Sequence, residues 1–228
     1  MSGEAPPVPR KSLSSTPRTR LRRKRERART DRDDLYAVLD AGKLCHLGVV
    51  VDGAPVVLPT GYGRDGDTLY LHGSTANHAL AAAAGHEVGV TVTHLDGLVL
   101  ARSVNHHSMN FRSAMIFGRA RLVTDAAEHL SALRTIVEHI VPGQWAAARP
   151  PSRKELAATA VLAVPLEEAS VKVRDEGVDD EPEDYQLDVW AGVIPVRTVF
   201  GAPEADPALR PGADVPWHVR ALVGPAGP

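Results

Sequence analysis

Two polar stretches of the chain carry residue types that could bind a phosphate group. The first runs from His72 to His78, where a strand pattern gives way to a helix pattern. Free N–H groups and the positive dipole of a helix N-terminus attract anions, and Ser74 and Thr75 add hydroxyl donors. The pattern alone favours the alternative, a plain helix cap without a ligand. This stretch therefore predicts either a phosphate site or a cap.

The second stretch, Arg102–Ser113, is dense in polar donors and lies between two apolar segments. Arg112 offers the forked N–H donors that suit a phosphate, and Ser113 places a hydroxyl beside them. A polar loop of this kind either lies in solvent or converges on a ligand. Its composition does not separate the two interpretations.

The sequence lacks the motifs of several other common kinds of functional site. The chain contains no G-x4-G-K-[ST] phosphate loop and no G-x-S-x-G nucleophile elbow. Its ten histidines show no metal-ligand spacing, so no metal site is expected. The single cysteine, Cys45, excludes an intramolecular disulfide, and its apolar strand indicates an inert core residue.

The surrounding pattern predicts the elements that would position the two stretches. Asp31 and Asp33 are N-cap candidates for an amphipathic helix that ends at Gly42. Asp52-Gly53 and Asp65-Gly66 separate apolar runs, and this dipeptide favours tight hairpins. The pattern predicts a three-stranded meander over residues 44–72.

Further elements complete the prediction. Residues 76–84 favour a short helix, and Thr124 or Asp125 would cap a longer one. Five later strands are expected, with a turn at Asp96-Gly97 between the first two: Glu87–His94, Leu98–Ser103, Ser113–Val123, Thr159–Pro165 and Ser170–Arg174. Many short antiparallel strands with a few helices predict an α+β fold that is mainly antiparallel β and forms a barrel.

Charge is divided unevenly along the chain. The 228 residues include 26 Lys+Arg and 28 Asp+Glu, for a net charge of −2. Residues 1–30 hold ten basic and two acidic residues, a net of +8, which leaves −10 for the remainder. This basic N-terminal arm is poor in apolar residues and is predicted to be mostly disordered in isolation. A solubilising tail, or one that folds over a dimer, is favoured, and no nucleic-acid partner is expected because no aromatic residue interrupts the arginines.

The rest of the chain is expected to form one domain over residues 31–200, followed by a Pro-rich tail, 201–228, without evident structure. Eight acidic residues within 175–188 predict a solvated loop. No apolar run approaches the roughly 20 residues of a membrane span. The Arg22-Arg23 pair is followed by further charges instead of an apolar export signal, so a cytoplasmic protein is expected.

Several short segments resemble, in the same order, the flavin-nucleotide-binding proteins of the pyridoxamine 5′-phosphate oxidase-like family, which also includes nitroimidazole-resistance (Nim-like) proteins. These segments are Cys45–Gly48, Pro59-Thr60, Leu69–Ser74, Val99–Ser103, His107–Ser113, Val141–Gly143, Glu168–Arg174 and Val189–Pro195. The resemblance covers roughly residues 20 to 200. It implies a split β-barrel with flanking helices that forms a homodimer and holds FMN between the subunits.

The resemblance also implies roles for individual residues. Pro59 and Thr60 would line the isoalloxazine edge through backbone contacts. His72, Gly73 and Ser74 would lie beside the flavin or its ribityl chain. The phosphate end would be served by Asn110, Arg112 and Ser113.

The cofactor-binding positions Phe111 and Asn77 depart from the family pattern. Phe111 stands where relatives commonly have Tyr, which removes one hydroxyl donor. Asn77 and His78 stand where many relatives have Lys or Arg, so Arg112 would carry more of the phosphate clamp. FAD or haem are the alternative cofactors.

Two functions follow from the resemblance. The first is an FMN-dependent oxidoreductase that acts on a small molecule, with His72 as the candidate catalytic proton donor. The second is a non-catalytic protein of the same fold that binds or senses flavin or haem. The alternative for His72 is a strand-end histidine that only hydrogen-bonds to the backbone.

Overall fold

The computed structural model describes residues 12–223 of the chain. Its helices are α1 (Arg32–Ala41), α2 (His78–Ala83), α3 (Ala126–Ile140), α4 (Gln144–Ala147), α5 (Arg153–Ala158) and α6 (Trp217–Val223). Its strands are β1 (Ala28–Arg29), β2 (Leu44–Val51), β3 (Ala54–Asp65), β4 (Thr68–Ser74), β5 (Glu87–Leu100), β6 (Ser108–Arg119), β7 (Arg121–Leu122), β8 (Thr159–Pro165), β9 (Glu168–Arg174) and β10 (Gly192–Pro195). Within this part of the chain, no helix is both long and apolar enough to cross a membrane.

These strands form an antiparallel sheet in the order β1-β9-β6-β5-β2-β3-β4-β8-β7, with β10 paired to β5. Strand β3 joins the strands on either side of it in this order. Its residues 54–61 pair with β2, and its residues 62–65 pair with β4. The sheet curls until Gly118 of β6 faces Pro165 of β8, where an added Cβ would lie 3.1 Å from the proline Cδ. The predicted α+β split barrel with flanking helices is confirmed.

The predicted turn and capping residues set the first elements. Asp52 and Gly53 have φ values of 50° and 79°, as a tight hairpin between β2 and β3 requires. The Asp31 side chain accepts a hydrogen bond from the backbone N–H of Asp33 and caps α1, which ends before Gly42. These two predictions are confirmed by the structure.

Strands β5 and β6 differ from the sequence expectation. The Asp96-Gly97 pair does not form a turn between two strands, because β5 continues through it with a register shift between Leu95 and Gly97. Gly97 suits this position because a Cβ there would lie 3.1 Å from Val193 Cγ1 and 3.3 Å from the Ile194 carbonyl oxygen of β10. Strand β6 begins at Ser108 instead of Ser113, so half of the predicted polar loop is strand.

The barrel interior is apolar and fully packed. Its large, fully buried side chains include Leu35, Leu39, Leu47, Leu69, Leu71, Val90, Ile116 and Leu162. Cys45 is buried among them, and burial raises the pKa of its thiol to about 12. The thiolate is therefore not formed near neutral pH, which agrees with the inert core role predicted for this residue.

The described part of the basic arm, residues 12–30, lies along one edge of the sheet. Strand β1 pairs with β9, and the Arg18 guanidinium forms ion pairs with Glu87 and Glu168. Thr19 is buried. Residues 1–11 lie outside the described chain, and the predicted behaviour of the isolated arm and the domain boundaries at residues 30 and 200 remain predictions.

The C-terminal region contains more structure than its proline content suggests. Strand β10 pairs with β5, opposite Gly97–Leu100. Helix α6 lies within the stretch expected to lack structure, and its buried His218 has Nε2 2.9 Å from Gln144 Oε1. That expectation is wrong for residues 217–223.

Helix α3 rests directly on β3 at Gly63, which gives a test of this packing. A Cβ added at Gly63 would lie 2.7 Å from the backbone N and Cα of Ile136. Because backbone atoms cannot rotate away, we expect Gly63→Ala to lower the free energy of unfolding by about 1–3 kcal/mol in urea denaturation. Gly177→Ala is the control, since a Cβ there meets no atom within 4 Å. Equal stability of the two variants would contradict this packing.

Candidate functional site

One face of the sheet points away from the packed interior and carries several residues of interest. Partners that stand opposite each other in an antiparallel ladder point to the same side. Pro59, His46, Thr91 and Met115 are successive partners across β3, β2, β5 and β6. Cys45 and Leu47, the neighbours of His46, are fully buried, so this row faces outward. We call this surface the outer face.

The outer face is partly apolar and lacks side chains at one point. Gly48 and Gly89 are partners on it and leave it without side chains at that point. Met115 is 44% exposed and Val57, the β3 partner of Gly48, is 68% exposed. An exposed surface with apolar side chains suits a bound ligand with an apolar part or a second protein subunit. His46 lies at its centre and was not singled out in the sequence, although the alternation of Cys45–Val51 places it there.

His72 lies on the same side of β4 as Tyr70, since the two residues are two positions apart. Its strand partner on β8 is the buried Val161. Among the described residues, the buried Nδ1 atom of His72 has no hydrogen-bond partner. Burial lowers the pKa of this imidazole. His72 is therefore neutral near pH 7 and presents a ring nitrogen that the side chains and backbone of residues 12–223 leave unsatisfied.

The stretch after His72 forms a cap. Asn77 Oδ1 accepts hydrogen bonds from the N–H groups of Ala79 and Leu80, at 3.0 and 3.2 Å. Ser74 Oγ accepts from the N–H of Ala76. The capping alternative thus describes the local geometry. Ser74 and Asn77 also line an open cavity of about 450 Å³ together with residues of α2 and β8.

The four residues Asn110–Ser113 are divided by the alternation of β6. Phe111 and Ser113 point to the side of Met115, on the outer face, whereas Asn110 and Arg112 point to the side of the buried Ala114. The structure does not bring all four side chains to one surface. Their predicted cofactor contacts remain predictions.

Arg112 and Asn110 already have protein partners. The Arg112 guanidinium donates two parallel hydrogen bonds, both 2.9 Å, to the carboxylate of Asp96. The buried Asn110 accepts from Arg174 and from the N–H of Glu176, and it donates to the Glu176 carbonyl. A phosphate would have to replace Asp96 in order to use the Arg112 fork. No sequence signal indicates this pair, because the Asp96-Gly97 dipeptide predicts a turn.

Gly73 and Thr60 serve packing in the described chain. A Cβ at Gly73 would overlap Leu80 Cδ1, so α2 sits directly on this glycine. Thr60 is the ladder partner of the buried Cys45, so its side chain points away from the outer face. Only backbone atoms of Thr60 can reach a ligand there, as the resemblance implied.

The acidic stretch 175–188 is anchored at one point. The Asp180 side chain is fully buried and accepts hydrogen bonds from the backbone N–H and the guanidinium of Arg102, at 3.0–3.1 Å. The expectation of a fully solvated loop is therefore wrong at Asp180. This contact fixes the loop that leads into β6.

Three histidine or tyrosine side chains close the end of the barrel around α1. Tyr62 donates to the Leu39 carbonyl, His94 Nε2 lies 2.9 Å from the Val38 carbonyl, and His139 Nε2 lies 2.7 Å from that of Gly42. His94 and His139 therefore donate hydrogen bonds to backbone carbonyl oxygens, which is a structural role. Residues 12–223 contain no group of three or more His, Cys, Asp or Glu side chains that could hold a metal ion.

Comparison with known proteins identifies the family. Residues 31–173 match the pyridoxamine 5′-phosphate oxidase family, and the chain belongs to it. No curated protein sequence matches the chain. The resemblance noted in the sequence is thereby confirmed.

Two solved structures are similar over most of the chain. The flavocytochrome Anf3 from Azotobacter vinelandii is 42% identical, with a TM-score of 0.85, covering 90% of this chain and 95% of its own. The FAD and haem binding protein from Mycobacterium smegmatis is 39% identical, with a TM-score of 0.83, covering 87% and 98%. A putative 5-nitroimidazole antibiotic resistance protein from Bacteroides thetaiotaomicron shares the fold at 24% identity, with a TM-score of 0.56, covering 64% and 86%.

The burial of His72 predicts a pH dependence of stability. Because the folded protein disfavours the charged imidazole, the unfolded chain binds more protons as the pH falls through the ordinary histidine range. We expect the free energy of unfolding to decrease from pH 7.5 to pH 5.5. His72→Gln should reduce that decrease when both pH values are compared by urea denaturation. His78→Gln, at an exposed position on the same segment, should retain the wild-type difference. An unchanged difference in the His72 variant would contradict the assignment.

Proposed function

We propose that two copies of this chain hold a flavin against the outer face and use it to transfer electrons to or from a small molecule. The observation that carries this proposal is the extent of the similarity to the flavocytochrome and to the FAD and haem binding protein. The family match spans 143 residues, 31–173, whereas those similarities cover 90% and 87% of the 228-residue chain. They therefore include residues outside the common family core.

The residues present fit a flavin. The isoalloxazine ring is planar with one apolar end, and the outer face offers an area without side chains at Gly48 and Gly89. On the neighbouring strand β4, the buried Nδ1 of His72 is a polar atom without a hydrogen-bond partner among residues 12–223. A buried polar group without a partner is costly, so a ligand that supplies one is stabilised. FMN is the expected flavin. FAD is the alternative, because one of the similar proteins is an FAD and haem binding protein.

A bound flavin would supply the redox chemistry, by accepting and passing on electrons or hydride. The protein residues would bind, orient and shield it. His72 would make one hydrogen bond through Nδ1 in its neutral form, which restricts its role to holding or relaying a proton at that atom. The apolar side chains of Val57 and Met115 would exclude water from the ring.

The second candidate function is haem binding. One of the two similar proteins is a flavocytochrome, and the other binds FAD and haem. An imidazole nitrogen without a hydrogen bond can also ligate iron, so in that case His72 would hold the haem instead of contacting the flavin. Both groups in one protein would make the chain a small electron-transfer unit. A bound group without turnover would make it a binding or sensing protein.

The absorbance spectrum of the purified protein is the first test. We expect flavin bands, and acid release followed by chromatography identifies FMN or FAD. A strong band near the haem absorption maximum would add the second group. A colourless protein that takes up neither added flavin nor haem would contradict the proposal. Reoxidation of the reduced protein by oxygen or a nitro compound would separate an oxidoreductase from a binding protein.

His72 has its own test. His72→Ala should weaken cofactor retention by about tenfold, since a hydrogen bond in a buried site contributes on the order of 1 kcal/mol or more. His78→Ala is the matched control, because His78 is an exposed histidine of the same segment. Retention is measured by equilibrium dialysis at fixed protein concentration. Equal retention by the two variants would remove His72 from the site.

The proposed dimer is tested at Met115, which lies on the outer face away from His72. Met115→Glu should place a charge in the apolar interface, produce a monomer in light scattering and release the cofactor. Val104→Glu, at a position that is 82% exposed on the loop before β6, should remain dimeric. A dimer that persists in the Met115 variant would place the interface elsewhere.

A further inference from the structure

A cavity of about 630 Å³ lies beside the outer face, between the basic arm and the end of β9. Three separate segments form it: the arm, residues 105–108 at the start of β6, and residues 172–181. Its basic lining residues are Arg23, Lys24, Arg27, Lys172 and Arg174, joined by His106 and His107. We call it the cationic cavity. None of the functions proposed above employs it.

The charge of the lining is strongly unbalanced. Five Lys and Arg side chains line it together with two carboxylates, Asp179 and Glu181, and a third carboxylate, Glu176, is paired with Arg27 and Arg174. This excess occurs on a chain whose residues 31–228 have 16 basic and 26 acidic residues. The cationic cavity is therefore a local exception to an acidic surface, and it would attract an anion against the field of the rest of the protein.

The five basic residues fall into two groups. Arg27 donates two hydrogen bonds to the Glu176 carboxylate, at 2.9 and 2.6 Å, and the buried Arg174 donates to Asn110 and to loop carbonyls. These two form the fixed wall of the cavity. Arg23, Lys24 and Lys172 form no ion pair with any residue of the described chain. These three cationic side chains are therefore available to bind an anionic ligand.

Backbone pairing holds the arm in place over the cavity. Ala28 of β1 is the ladder partner of Lys172, which fixes the arm next to that lysine. Lys24 has left-handed backbone angles, φ 53° and ψ 55°, and bends the chain into the 3-10 turn Arg25–Arg27. A lysine adopts this conformation at a cost, because its Cβ crowds the following carbonyl. The bend places Arg23 and Lys24 on the cavity wall.

His107 adds a neutral donor. Its Nδ1 accepts a hydrogen bond of 2.9 Å from the backbone N–H of Ala101. The neutral ring therefore carries its proton on Nε2, which is free to donate to a ligand oxygen. Arg23, Lys24, Lys172 and His107 thus add a guanidinium, two ammonium groups and an imidazole N–H to a lining whose carboxylates are Asp179 and Glu181.

We infer that the cationic cavity binds the diphosphate group of a nucleotide-sized organic phosphate. Three unpaired cations require a ligand with more than one negative charge, and arginine favours the spaced oxygens of phosphate. The volume exceeds the needs of a single inorganic phosphate and lies in the range of ligand pockets. Lys172 is the ladder partner of Ser113, on the outer face. The diphosphate could therefore belong to FAD or to a separate nucleotide, and only this choice of source rests on the proposed function.

Binding of inorganic pyrophosphate and of ADP to the full-length purified protein tests the cavity itself. Arg23→Ala and Lys172→Ala should each weaken binding by about tenfold in calorimetry at fixed ionic strength, since each removes a charge-assisted hydrogen bond. Arg22→Ala is the matched control, because Arg22 neighbours Arg23 on the same arm but does not line the cavity. An equal loss with Arg22→Ala would show diffuse attraction to the arm and overturn the proposal, as would the absence of binding by both ligands.

A second measurement identifies the source of the diphosphate and stands apart from the first. The protein is saturated with FAD or with FMN, and ADP is then titrated into each form. ADP that binds the FMN form but not the FAD form assigns the cavity to the dinucleotide flavin. ADP that binds both forms assigns it to a separate nucleotide. A protein that takes up no flavin but binds ADP through Lys172 would refute the flavin proposal and support the cavity.

Discussion

The alternation of side chains along the barrel strands is the constraint on which the rest of the structure depends. Each strand must send every second residue into an interior that is already filled, for example by Leu47, Val90 and Ile116. No ligand can enter that interior. A cofactor can bind only to outward-facing residues, and the outer face from Pro59 to Met115 is therefore defined by the same pattern that builds the core.

Local chemistry made much of the fold predictable. The Asp52-Gly53 hairpin and the Asp31 cap act within two or three residues, so their sequence signals are complete. The Asp96-Gly97 pair has the same signal, yet it forms a bulge because β5 pairs with β6 on one side and with β10 on the other. That outcome is decided by partners distant in sequence. The Asp-Gly dipeptide alone therefore does not distinguish a bulge from a hairpin turn.

The candidate site was less predictable for a related reason. A run such as Asn110–Ser113 looks like one cluster in the sequence, but a strand divides it between two faces. The Arg112 fork is occupied by Asp96, 16 residues away, and this pairing follows from the ladder between β5 and β6. His46 shows the converse, since it reaches the outer face through ordinary alternation. For sites on sheets, the face of a residue matters as much as its type.

The basic arm shows how local charge can differ from net charge. Arg18 and Arg27 meet Glu168 and Glu176, so part of the arm's excess is matched where the body is acidic. Exposed ion pairs of this kind add little stability, because water screens them. What they do is fix the position of the intervening residues. Arg23 and Lys24 lie between these two anchors and have no carboxylate partner among residues 12–223. The arm is thus held by its ends, and the charges between them remain available to an anion.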